Sequence, residues 1–206
     1  MKAVIDAILA RPEALGMAAI ADRCDSYVMP NFDANVYRNS PEFLRPHSKR
    51  YAHALVMCDR VGSGQTRSRQ EMEDDIESRL SSSGWMNRGS AIVIDPELEA
   101  WLWQRSPYVV EALGWNGRSP DLYSWLDSTG FLAPGASKPA DPKKALNAAL
   151  FLARKQKSSS IFSSVASQVS LARCIDPSFL KLREVLRSWF PRPDNTPEQQ
   201  KPQHAR

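Results

Sequence analysis

Two short stretches of this 206-residue chain put carboxylates where chemistry is done. Asp59 closes the apolar run His53 to Cys58 and opens a glycine-containing loop, residues 60–64. Asp95, Glu97 and Glu99 follow directly on a second apolar run, Ala91 to Ile94. In open parallel sheets ligands bind beyond the carboxyl ends of strands. A carboxylate there can hold Mg²⁺, which takes oxygen ligands and keeps several waters. Each acid also has a plainer reading. Asp59 can stabilise a turn through its own backbone. Asp95 before Pro96 has the form of a helix cap, and Glu97 and Glu99 suit a helix N-terminal dipole. Glu99 lies between Leu98 and Trp101 and is expected to point partly inwards, where a charge needs a metal, Arg or Lys partner. Gly62 and Gly64 allow close approach to a phosphate but match neither the P-loop nor the dinucleotide fingerprint.

A basic set lies further along. Lys138, Lys143 and Lys144 flank the Asp141-Pro142 helix start, and Arg154, Lys155 and Lys157 follow that helix. Cations at the end of a helix suit its dipole, whereas lysines at the start oppose it and point to an anion. Lys138, Lys143, Lys144, Arg154 and Lys157 are therefore the candidate contacts to nucleic-acid phosphate. Residues 1–100 carry 12 Lys and Arg against 15 Asp and Glu, a net of −3; residues 101–206 carry 15 against 8, a net of +7. That asymmetry suits carboxylates facing a polyanion-binding surface, and equally an ordinary solvated surface.

The elements that must position these groups read as α/β. Val4, Ile5, Ile8 and Leu9 share a helical face. At least one of Met17–Ala21 and Tyr27–Met29 is expected to be a strand, and a short helix is expected from Ser40-Pro41 towards Arg50. Residues 53–58 read as a strand covered on both faces. Ser68 and Glu71 form a capping box, with Met72, Ile76 and Leu80 continuing that helix. Ala91–Ile94 is the next strand, completing a βαβ unit. Beyond it, Asp-Pro or Ser-Pro at 95, 106, 119, 141 and 176 marks helix starts. The tryptophans, Trp101 and Trp103 included, and Cys58 are read as core, and His47 and His53 as structural or solvent-facing. The expected architecture is a small, mostly parallel Toprim/Rossmann-like sheet with flanking helices. It divides into an α/β core over 1–135, a basic helical segment over 136–190 packed on that core, and a disordered tail over 191–206.

The bulk properties exclude several classes. No apolar run approaches the roughly 20 residues of a membrane span. The first residues lack the form of a signal peptide, and the three cysteines have no metal or redox spacing, so a cytoplasmic, reduced protein is expected. There is no nucleophile elbow of a Ser hydrolase.

Asp59-Arg60 at the end of one strand, followed by Asp95-Pro96-Glu97-Leu98-Glu99-Ala100-Trp101 after the next, resembles the Toprim-like RloB and AbiLii proteins of bacterial anti-phage systems. In those, a strand ends in an Asp-Arg-Asp-like motif and a later one runs into Asn-Pro-x-Phe-Glu-x-Trp. Over most of residues 8–190 the chain is also similar to a small family linked to methylation-associated defence systems. The resemblance implies a Toprim-like domain that engages nucleic acid and binds Mg²⁺ through acidic residues. By position, Asp59 and Glu99 would be catalytic, and Asp59, Glu99 and Asp95 would be metal ligands of a nuclease. Two departures stand out: Val61 occupies the place of a second acidic residue, and the glutamate that follows the first Toprim strand has no counterpart. The resemblance therefore leaves two functions open, a Mg²⁺-dependent nuclease with an incomplete acidic site or a non-catalytic subunit that binds other defence-system proteins.

Overall fold

The computed structural model describes residues 1–20 and 23–193. In chain order its helices and strands are α1 (Lys2–Leu9), α2 (Pro12–Leu15), α3 (Phe32–Leu44), β1 (Ala54–Asp59), α4 (Arg69–Leu80), β2 (Gly89–Ile94), α5 (Glu99–Leu102), α6 (Pro107–Ala112), α7 (Leu122–Ser128), α8 (Pro142–Leu152), α9 (Ser159–Gln168) and α10 (Pro177–Trp189). The strands pair in parallel, from Ala54 opposite Gly89 to Asp59 opposite Ile94, with α4 as the crossover. The Ser68 capping box opens α4, and Met72, Ile76 and Leu80 bury its inner face.

Why no strand is added beyond β2 among the described residues follows from that edge. A parallel ladder directs alternate backbone groups to opposite sides. The N–H groups of Ala54 and Arg60 donate towards β2, to the carbonyls of Arg88 (3.0 Å) and Ile94 (2.8 Å). On the far edge of β2, the Ala91 N–H donates to Glu77 Oε1 (2.9 Å) and the Val93 N–H to Glu73 Oε1 (3.0 Å). Two side chains of α4 thus accept the hydrogen bonds that a third strand would take. Glu73 is completely buried, and Arg69 (2.7 Å) and Lys181 of α10 (3.1 Å) neutralise it.

Both sheet faces are covered, as the apolar strands require. Ala54, Val56, Cys58, Ala91 and Val93 pack with α4 and Tyr37 in one cluster. Ile92 and Ile94 belong to a larger cluster that runs from Val4 of α1 to Leu186 of α10, so residues from before and after 135 share one core. Trp85, Trp101, Trp103, Trp115 and Trp125 are buried, while Trp189 stacks on His53 at 4.5 Å. No helix among the described residues is long and apolar enough to cross a membrane.

Three sequence-based expectations need correction. Neither 17–20 nor 27–29 forms a strand, although Ala21 lies outside the described residues. Met17 and Ile20 are buried from irregular backbone instead, with the Ala18 N–H on the Phe190 carbonyl (2.9 Å). The helix expected to begin at Ser40 begins at Phe32 and runs through Pro41. Proline has no N–H for the carbonyl four residues back. Arg79 supplies the missing donor, with Nη2 on the Tyr37 carbonyl (2.7 Å), and its Nη1 also reaches that of Arg38 (2.8 Å). Finally, Ser106, Asp141 and Asp176 do cap helices, but Asp95 and Ser119 do not. Asp95 is three residues short of α5 and its carboxylate turns to Arg60 (2.7 Å); Asp121, not Ser119, caps α7. Of the expected disordered tail, residues 194–206 lie outside the described residues.

Candidate functional site: the carboxylates at the strand ends

The parallel pair carries Asp59 and the 95–99 segment to the same end of the sheet. Asp59 Oδ1 accepts the Leu98 N–H at 3.0 Å, which ties the end of β1 to the start of α5. Its own N–H faces the outer edge of β1 and donates to Asp33 Oδ1, also at 3.0 Å. Burial, then the adjacent charges of Asp33 and Glu99, push the Asp59 carboxyl up to about 7; the Leu98 hydrogen bond pulls the other way. Cys58 beside it is pushed up to about 12, chiefly by burial, and is no nucleophile.

Asp33 was not legible from spacing. It lies 26 residues before Asp59, in the first turn of α3, and the fold alone brings the two together. Its position explains Gly62: a Cβ there would collide with the Asp33 carboxylate. The glycine admits a side chain of the protein itself. Ser63, buried beneath, donates to the Arg60 carbonyl (2.5 Å) and closes the loop on itself.

The remaining strand-end acids are all engaged by cations. Glu99 is buried and accepts Lys157 Nζ at 2.6 Å, the lysine partner its inward placement called for. Glu97, also buried, accepts Lys143 Nζ at 2.9 Å. That hydrogen bond, with Glu99 and Asp59 close by, holds the Lys143 ammonium above its ordinary range against partial desolvation. Lys138 pairs with Asp176 at 3.0 Å, and the Trp101 indole N–H donates to the same aspartate (3.2 Å).

These pairings decide the fit to Mg²⁺. The ion needs several oxygen donors free to converge. Here Glu97, Glu99 and Asp95 each hold a protein cation. Among the described residues no three Asp, Glu, His or Cys side chains are grouped to hold a metal ion. The donor set as arranged does not fit the ion.

Of the five basic candidates, Lys138, Lys143 and Lys157 are thus turned to carboxylates of the chain. Lys144 and Arg154 are exposed and have no carboxylate partner among the described residues. Arg154 follows α8 in a left-handed conformation, φ +52°. The Lys155 N–H reaches the Leu150 carbonyl (2.9 Å) and the Arg154 N–H that of Phe151 (3.1 Å), a Schellman ending whose left-handed residue is usually glycine. Beside it Phe151 is 82% exposed. A signal for Phe151 was present in the sequence, since it falls off the Leu146, Ala149, Leu150 stripe that α8 buries.

No family model, no curated protein and no solved structure matches this chain.

Proposed function

We propose that this chain is a Toprim-like component of a bacterial anti-phage defence system that engages single-stranded nucleic acid, and that Asp95, Glu97 and Glu99 act with their cation partners as a charge-compensated joint. What supports the Toprim-like part is the motif resemblance together with the parallel βαβ unit that carries Asp59 and Glu99 to one end. One observation carries the nucleic-acid part: the outer side of α8 and its C-terminal turn offers two cations without carboxylate partners among the described residues, Lys144 and Arg154, around an exposed aromatic ring, Phe151. Cations track phosphates, and an exposed ring stacks an unpaired base of any type.

The test is binding of a labelled single-stranded oligonucleotide by fluorescence anisotropy. Phe151→Ala is expected to weaken binding by about 1–3 kcal/mol, the value of one stacked base. Absence of binding at low salt, or equal binding by wild type and the variant, rejects the reading.

The motif resemblance also implies a Mg²⁺-dependent nuclease, a reading that the ion-paired acids at the strand ends do not favour. Equal Mg²⁺-dependent cleavage by wild type, Asp59→Ala and Glu99→Ala would reject a catalytic role for these acids.

A further inference from the structure

The two edges of the sheet are treated differently. The β2 edge is closed by Glu73 and Glu77. On β1 the same alternation turns the N–H groups of Leu55, Met57 and Asp59 outwards. Only that of Asp59 finds a hydrogen-bond partner among the described residues, Asp33. The edge strand, Ala-Leu-Val-Met-Cys, also lacks the lysine, proline or bulge that usually blunts an open edge.

The end of this edge has two further features. Asp33 and Asp59 have no cation partner among the described residues, whereas Asp95, Glu97 and Glu99 each have one. Next to Asp33 in the chain, Phe32 is 85% exposed and held at φ +60°, a conformation a bulky side chain rarely adopts. Val61, two residues beyond Asp59, is exposed as well.

From this the geometry points to the β1 edge as a docking site for an extended segment of a partner protein, which adds a strand through the Leu55 and Met57 backbone and sets a Lys or Arg against Asp33 and Asp59. Backbone pairing supplies the attachment, as in other strand additions. The acid pair supplies the selection, because a cation there pairs with two adjacent carboxylates that no lysine or arginine among the described residues contacts. The inference is independent of the nucleic-acid reading, which concerns α8.

Capped six-residue peptides with alternating Thr and Val, ending in Lys or in Glu at either terminus, serve as probes. Amide hydrogen exchange of the full chain is followed by NMR. The free chain is expected to exchange Leu55 and Met57 amides rapidly, and a Lys-ended peptide to slow both. The Glu-ended peptide is expected to bind about tenfold more weakly, the worth of one charge-assisted contact. The Asp33→Asn, Asp59→Asn double variant keeps both acceptor oxygens and is expected to lose that preference. Met57→Pro removes an outward donor together with a side chain packed on the core, and is expected to abolish binding by either peptide; should it fail to fold, the aspartate variant still decides. Protected Leu55 and Met57 amides in the free monomer would overturn the inference. So would absence of peptide binding, or a concentration-dependent dimer that protects them, which would assign the edge to a second copy of the chain.

Discussion

Asp59 and Glu99 leave neighbouring strand ends in opposite electrostatic states. Glu99 is buried against Lys157, whereas Asp59 is part-buried beside Asp33 with no cation on it among the described residues. Burial, then the charges of Asp33 and Glu99, push its carboxyl up to about 7 from an ordinary value of 3.8. The folded chain therefore binds more protons than the unfolded chain between those values, and the stability that Asp59 contributes falls as pH rises through that window. Asp59→Asn removes the charge and keeps an oxygen for the Leu98 N–H. Urea midpoints at about pH 5 and about pH 8 measure the consequence. The variant is expected to gain on wild type more at the higher pH; an equal difference at both would mean that neither burial nor Asp33 governs this group. A reader of the sequence could single out Asp59 and Glu99, because strand ends are visible in apolar runs. The lysine on Glu99 is 58 residues away and Asp33 is 26 residues from Asp59, and nothing in either spacing announces the contact.

Elements were legible where the local signals agreed with the packing. Both strands, the Ser68 box and the Asp141 and Asp176 caps were readable because each is decided within a few residues. The path of α3 through Pro41 was not, because the donor that allows it comes from Arg79 on another helix. The closed edge of β2 was equally hidden: Glu73 looks like one more surface acid of a charged helix until the fold sets it under Val93. Glu73→Ala would leave the Val93 N–H unpaired, strip Lys181 of one of its two carboxylates and remove the buried partner of Arg69. Breaking a buried ion pair from one side costs about 3–5 kcal/mol. A loss of that size in the urea unfolding free energy is expected, with Lys181→Met milder because the lysine is partly exposed. A loss below about 1 kcal/mol, the size of an exposed pair, would show that the carboxylate does not close the edge.

Across the whole molecule, the contrast between an acidic first half and a basic second half is partly consumed within the fold. Lys143, Lys157 and Lys181 of the second half bind Glu97, Glu99, Glu73 and Glu77 of the first, so much of the asymmetry joins helices to the sheet. The sequence proposes five phosphate contacts, whereas the structure leaves Lys144 and Arg154 without carboxylate partners among the described residues. The two counts predict different salt dependences. For single strands the slope of log K against log salt is about −0.7 per phosphate neutralised. Two contacts give about −1.4 and five about −3.5 on that scale. The shallower slope is expected. Arg154→Gly is expected to flatten it by about 0.7 while leaving the melting temperature unchanged or higher, because glycine suits a left-handed helix ending better than arginine. Lys143→Ala is expected to do the reverse, with the slope unchanged and the stability lower, since its ammonium is held by the buried Glu97. A slope near the steeper value would mean that nucleic acid draws the paired lysines off their carboxylates. That result would expose Glu97 and Glu99 beside Asp59 and restore the case for a metal centre at the strand ends.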